Sequence, residues 1–393
     1  MNPIRYRSLP AALFLLFATH SLSAQAAPAP AATAAPATSP FSGLIFGNFN
    51  YLVPTTPQPL AGQLNNAFTL DRAYLTFRMP AGENMSIRIT TDIYQTTEST
   101  PNAYTVRAKY AYFQYDVPKF SDGGSMFARV GIMQNVVIEF IESFWPRWVS
   151  QTAVERAGYF ASADMGLAAQ YNLPKKLGEV YATVSNGPGY TTRERDRFKD
   201  YAIRFSLSPL ANHAEIPLLQ TFTVTAWGYK GANASSFVAA GDGTALDRSR
   251  AGVFVGIKDP RLVIGGEYSQ RHDEGEQGVA ALHNTTATTG HLLSAFTIAR
   301  PLAFTHPSGK SRVGLLARYD AVTPAASTSG FVSPSAPITD NAYHVFIGGL
   351  MYDLNARAQV SANYQEVLNA SNSLGVAPPT QAKTYFAQFV VNF

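Results

Sequence analysis

From Gly43 onward, apolar and polar side chains alternate with period two in segments broken at regular spacing by turn-forming residues. Between 84 and 95, Met85, Ile87, Ile89 and Ile93 share one face while Ser86, Arg88, Thr90 and Asp92 share the other. Between 309 and 321, Val313, Leu315, Ala317 and Tyr319 oppose Arg312, Gly314, Arg318 and Asp320. Strands with faces this different sit between water and either lipid or a core. The pattern predicts strands at 42–53, 67–79, 84–95, 104–116, 125–134, 162–173, 177–187 and 199–209. It continues with 218–230, 250–258, 261–271, 288–299, 309–321, 341–353, 356–367 and 382–393. The total of about 16 is even and within the range of bacterial transmembrane barrels.

The connections between these segments tend to alternate between long and short. Pro54–Asn66, Gly231–Ser249, His272–Ala287 and Val322–Asp340 are long, whereas Pro80–Glu83, the turn at Lys176, Asp259-Pro260 and Leu354-Asn355 are tight. Long loops at one end and short turns at the other are the layout of a membrane barrel, and a soluble sandwich has no reason to sort them so. The fold class read from the sequence is therefore all-β: a transmembrane antiparallel barrel whose first and last strands pair, because an open edge has no partner in hydrocarbon.

One stretch breaks the rhythm. Gln134–Phe160 lacks strand periodicity and carries Glu139, Glu142, Glu155, Arg147 and Arg156 beside Phe144, Trp145 and Trp148. An ordered connection this long is usually functional, and we expect it to fold inward and narrow a pore. A loop that merely caps the barrel is the plainer alternative.

With the apolar face assigned to lipid, the opposite face carries Arg72, Arg78, Arg88, Arg107, Lys109, Arg129, Arg204, Arg312, Arg318 and Arg357 against Asp92, Asp164, Glu267 and Asp320. Excess guanidinium in a narrow passage concentrates anions. Arg88, Arg107, Lys109 and Arg129 come just before the long connection; they serve either to select anions or to pin its acids, and one cluster does both. Tyr110, Tyr112, Tyr201 and Tyr319 are expected near strand ends or on the outward face. The final strand ends in Phe393, resembling the C-terminal aromatic signal read by barrel-assembly machinery.

Composition supports this picture. Charged residues are 14% of the chain, against roughly a quarter in typical globular domains, and the net charge is only +4. No basic run marks a nucleic-acid binder. Without cysteine there is no disulfide framework, thiol site or lipoprotein anchor. Residues 1–26 read as a signal peptide, with Arg5 and Arg7 ahead of an apolar Leu9–Ala18 and small residues at Ala24-Gln25-Ala26; 27–40 reads as an Ala/Pro-rich tether and 41–393 as the barrel. Enzyme motifs are poor: His272-Asp273 stands alone, no HExxH, phosphate loop or calcium loop occurs, and no metal or cofactor is expected. The run Arg193–Lys199 mixes signs as a solvated surface does.

Several short segments carry a family likeness: Arg129-Val130-Gly131 followed by Glu139 and Glu155-Arg156, ASADMGLAAQYNL running into VYATVSNGPG, KDYAIRFSLSP at 199–209, DRAYLTFRMP at 71–80 and KYAYFQYDVP at 109–118. Together they resemble the phosphate-selective porin O and P family. The resemblance implies a 16-stranded, usually trimeric outer-membrane barrel with its third external loop folded into the lumen and anion transport past basic wall residues. After Gly131 the chain departs from the family, with Ile-Met-Gln-Asn-Val-Val-Ile where a polar, Lys- and Pro-containing stretch is usual. The expectation is a passive outer-membrane channel for small hydrophilic solutes, leaning to anions such as phosphate or organic acids, partnered by lipid and by its own copies. The alternatives are a substrate-specific channel with an aromatic track at Phe144, Trp145 and Trp148, and a barrel enzyme or adhesion scaffold.

Overall fold

Strand pairing closes the sheet. In the computed structural model, β1 (Phe41–Leu52) hydrogen-bonds on one side to β2 (Asn66–Gly82) and on the other to β16 (Thr380–Asn392), antiparallel in both cases. The strands between are β3 (Met85–Gln95), β4 (Tyr104–Val117), β5 (Ser125–Gln134), β6 (Ala163–Asn172), β7 (Gly178–Ser185) and β8 (Asp200–Leu207). They continue as β9 (Thr223–Ala234), β10 (Ala245–Asp259), β11 (Leu262–Val279) and β12 (Leu282–Ala299). The circuit ends through β13 (Val313–Pro324), β14 (Tyr343–Asp353) and β15 (Ala358–Asn369). Each pairs with its sequence neighbours, giving a closed barrel of sixteen antiparallel strands. Such closure leaves no edge strand for hydrocarbon to face.

The structure describes residues 39–53, 65–95, 104–118, 120–194, 196–234, 245–279, 282–306, 310–324, 342–369 and 380–393. The expected signal peptide, nearly all of the tether and most of the long connections after β1, β9 and β13 lie outside the described residues. No described helix is long and apolar enough to cross a membrane.

The exposed face is apolar. Leu167, Ile203, Leu293 and Leu350 are more than half exposed, while their neighbours Ala168, Arg204, Ser294 and Met351 are buried. In a closed sheet the exposed row is the outside, and greasy side chains there need lipid rather than water.

Four differences from the sequence reading have physical causes. β9 begins at Thr223 instead of 218, because Pro217–Leu219 forms a 3-10 turn and Pro217 brings no N–H to a ladder. β10, β11 and β12 run further than expected, with pairing out to Val279↔Leu282, so the connection placed at 272–287 is largely strand and so are both described ends of the one placed at 231–249. Their Gly, Thr and Ala content hides the alternation, yet backbone pairing does not need it. The 208–222 and 300–312 connections, by contrast, lie at the short-turn end and are not tight, the second holding the helical turn α3 (Leu302–Thr305). Finally, bulges at Asp71 and Lys109 leave each without a partner: Phe46↔Arg72 is followed by Gly47↔Leu70, and Thr90↔Tyr110 by Thr91↔Ala108. An extra residue reverses the phase of alternation. Lys109, Tyr110 and Tyr112 are therefore all buried, correcting the outward placement of the two tyrosines, whereas Tyr201 and Tyr319 are exposed as expected.

Candidate functional site

The connection from Asn135 to Ser162 joins β5 to β6 and contains most of the irregular buried backbone of the molecule. Asn135 Oδ1 accepts from the N–H of Val137 at 2.8 Å, starting a one-turn helix, α1 (Ile138–Glu142). Thr152 Oγ1 accepts from the N–H of Glu155 and caps α2 (Ala153–Arg156). Backbone outside regular structure must find other partners when buried, and here the wall supplies them. Arg318 on β13 donates to Ser150 Oγ at 3.1 Å and to the Gln151 carbonyl at 2.6 Å. Gln365 on β15 and Gln388 on β16 donate to the carbonyls of Val149 and Trp148. Arg204 on β8 holds the Val136 carbonyl, Arg271 on β11 the Ala157 carbonyl, and Tyr159 reaches the Gly290 carbonyl on β12.

Aromatic packing completes the attachment. Phe140 and Phe144 lie 5.4 and 4.8 Å from Phe254, Trp145 lies 5.4 Å from Phe296, and Phe160 stands edge-on to Trp227 and Tyr229 at 5.3 Å. Trp145 is fully buried and its indole donates to the Ser150 carbonyl at 3.2 Å. Phe144 and Trp145 thus pack the connection against β10 and β12; of the expected aromatic track, Phe144 borders a cavity of about 1050 Å³ and Trp148 a smaller one, while Trp145 borders neither. The buried faces of β10, β12 and β14 are rich in apolar residues, Phe254, Phe296, Leu292, Val345 and Ile347 among them. Their signal in the sequence is loss of alternation, as in GVFVGI and HVFIGG, which marks burial on both faces.

The charges fall into linked groups. Arg147 binds Glu142 and meets Glu155 through two N–H groups, so three of the predicted constriction residues engage one another, one cation between two carboxylates. Burial opposes the charge on Arg147, but Tyr74 and the two glutamates outweigh it and hold its pKa well above the usual arginine value. On the wall, Arg72 and Arg107 share Asp92, at 3.3 and 2.9 Å, and Tyr190 from the next connection donates to Asp92 and accepts from Arg107. Arg88 stacks on Tyr110 and approaches Glu139 at 3.8 Å. Arg204 pairs with Glu179, and Arg318 with Asp320 at 2.7 Å.

Six predicted cations have no carboxylate within 4 Å among the described residues: Arg78, Arg312 and Arg357, all exposed, and Arg129, Lys109 and Arg156. Arg129 is oriented by Gln114 and Gln134 at 2.8 and 2.9 Å and lies over Phe127 and Tyr112. Lys109 is buried 4.1 Å from the centre of the Tyr74 ring. Arg156 on α2 has its pKa lowered by burial and by the neighbouring Arg318.

Arg312 precedes β13, is exposed, and borders a separate cavity of about 800 Å³ with Arg300, Lys310 and Asp353. Arg357 likewise lies in an exposed turn, apart from the other basic residues. Phe393 exchanges both main-chain hydrogen bonds with Gly43 at the barrel seam. Asp273 is bound by Arg250, which separates it chemically from His272. Both oxygens of buried Glu267, which the sequence reading placed on this face, lack a hydrogen-bond partner.

The cavity of about 1050 Å³ extends from Glu139, Phe140 and Ser143 on the connection toward the short turns, with Arg129, Lys175, Lys176 and Lys258 along it. A second, of about 300 Å³, lies between Arg147–Gln151 and residues of β1, β2, β15 and β16.

The fold is shared with solved bacterial outer-membrane barrels. The outer membrane channel DcaP of Acinetobacter baumannii superposes with a TM-score of 0.58 at 11% identity, over 90% of this chain and 96% of that one. The anion-selective porin from Comamonas acidovorans gives 0.55 at 10%, over 90% and 98%, and OmpT of Vibrio cholerae 0.55 at 11%, over 90% and 97%. An in-vitro folded OmpT is described in a trimer form. No family model and no curated protein matches the chain. A closed barrel with an apolar girdle outside is the architecture of an integral protein of the bacterial outer membrane.

Proposed function

We propose that the chain is a porin: a water-filled passage for passive diffusion of small hydrophilic solutes, leaning to anions, in which the 135–162 connection crosses the lumen and sets the constriction. The observation that carries this reading is Arg129, whose guanidinium is held by two neutral amides and no carboxylate while it borders the cavity of about 1050 Å³. A cation oriented this way keeps its charge available to a passing solute. Lys175, Lys176 and Lys258 extend the positive lining toward the short turns.

The reading includes a signal peptide at 1–26, assembly guided by the terminal Phe393, and a homotrimer, the form described for one neighbour of the same fold. It includes no reaction. The wall cations are mixed with acids and aromatic rings rather than ranked in a ladder, which supports small anions in general over phosphate in particular. The test is the reversal potential of the purified protein in a planar bilayer under a potassium chloride gradient. An anion-leaning potential is expected; a cation-leaning one removes the selectivity and leaves the channel, and an absence of conductance removes both.

A further inference from the structure

Arg156 lacks the carboxylate partner that several neighbouring arginines have. Arg147 takes Glu142 and Glu155, Arg72 and Arg107 take Asp92, and Arg318 takes Asp320. Among the described residues no carboxylate or hydrogen-bond acceptor meets the Arg156 guanidinium. A half-buried cation without a partner is costly unless something else supplies one.

The space beside it has a distinct character. Arg156 borders the cavity of about 300 Å³ together with Arg72 and Asn48, and with the rings of Phe46, Trp148 and Phe386. That volume is at the lower end for small-molecule sites. A planar guanidinium fork matches a carboxylate through two parallel N–H groups, and aromatic side chains match a flat apolar body. Phosphate would find one free fork, because Arg72 and Asn48 are engaged by Asp92 and by Asp71, the latter itself on the cavity wall. Trp148 and Phe46 are held in place, Trp148 by the Gln388 bond to its carbonyl and Phe46 edge-on to Tyr74 at 6.0 Å, so the site is formed before a ligand arrives.

We propose that this cavity binds a small aromatic carboxylate, with its carboxylate on Arg156 and its ring among Phe46, Trp148 and Phe386. The proposal rests on the channel reading and names the solute class that the constriction retains. The site makes passage of such acids saturable, while smaller anions pass without dwelling there.

The experiment is calorimetric titration of sodium benzoate into the full-length mature protein folded in detergent, with folding checked by heat-dependent electrophoretic migration. Saturable binding is expected, weakened roughly tenfold to a hundredfold in Arg156→Gln, the loss of a charge-assisted pair. If Arg156→Gln does not fold, Arg156→Lys keeps the charge and loses the fork, and a clear loss of benzoate affinity is again expected. Phe386→Ala should weaken benzoate and leave acetate unchanged. Benzoate affinity unaltered by either Arg156 variant, displacement of benzoate by phosphate at equal concentration, or no saturable binding would each overturn the proposal. Because binding is read without current, a protein that conducts but does not bind benzoate refutes only this site, and one that binds but does not conduct refutes only the channel.

Discussion

Arg318 donates to the main-chain carbonyl of Gln151 at 2.6 Å across a separation of 167 residues, while its other nitrogens hold Asp320. One guanidinium therefore satisfies both a buried carboxylate on its own strand and the irregular backbone of the 135–162 connection. Replacing it with alanine strips both at once, and removing one member of a buried pair typically costs about 3–5 kcal/mol. Arg318→Ala is expected to lower the unfolding temperature and to expose the connection to protease before the barrel melts. Limited proteolysis followed by mass spectrometry checks it; a connection as resistant as in the parent protein would contradict this role.

Glu267 presents the opposite case, a buried carboxyl group whose two oxygens have no partner. Leaving such a group unsatisfied costs about 1–3 kcal/mol. Glu267→Met is therefore expected to raise the midpoint of denaturant unfolding in detergent, and a lowered midpoint would mean that the carboxyl has a stabilising partner.

At the seam, a Cβ added to Gly43 would fall 2.1 Å from Cζ of Phe393, so glycine there makes room for the terminal ring. Gly43→Ala should slow refolding into detergent in the absence of assembly machinery, and Phe393→Ala in the same chain should restore the rate. Failure of the double variant to recover would separate the ring from closure of the barrel.

Arg129 is held by two neutral amides, whereas Arg147 and Arg318 are bound to carboxylates. Arg129→Gln should shift the reversal potential toward neutrality. The shift should be larger at 0.1 M salt, where charges are screened over about 10 Å, than at 1 M, where the distance is about 3 Å. Equal shifts at both salts would place the effect elsewhere than in the field of this residue.

Much of the barrel was legible in the alternation, because lipid outside and polar groups inside impose opposite chemistry on successive residues. The strands at 84–95 and 309–321 are cases in point. The phase was not legible where a bulge adds a residue: nothing in the run KYAY announces that Lys109 and Tyr110 both turn to the buried face. Loop lengths were misjudged where backbone pairing continues through Gly- and Thr-rich sequence without alternation, as at the hairpin ends of β11 and β12. Within the candidate site, the sequence showed the charged residues of the 135–162 connection but not their pairing, since Arg147 chooses Glu142 and Glu155 only once α1 and α2 have folded. Phe254 and Phe296 escaped notice because the alternation rule assigns the buried face to polar groups, and here a connection covers that face instead.

The central claim is that the 135–162 connection lies in the conduction path. The chain has no cysteine, so Ser143, exposed on that connection and bordering the cavity of about 1050 Å³, can be made the only thiol by Ser143→Cys. Single-channel current is then recorded while a bulky, positively charged methanethiosulfonate reagent is added, with labelling verified by mass. The account predicts a lasting drop in conductance in the variant and none in the parent protein; full labelling with unchanged conductance would contradict it.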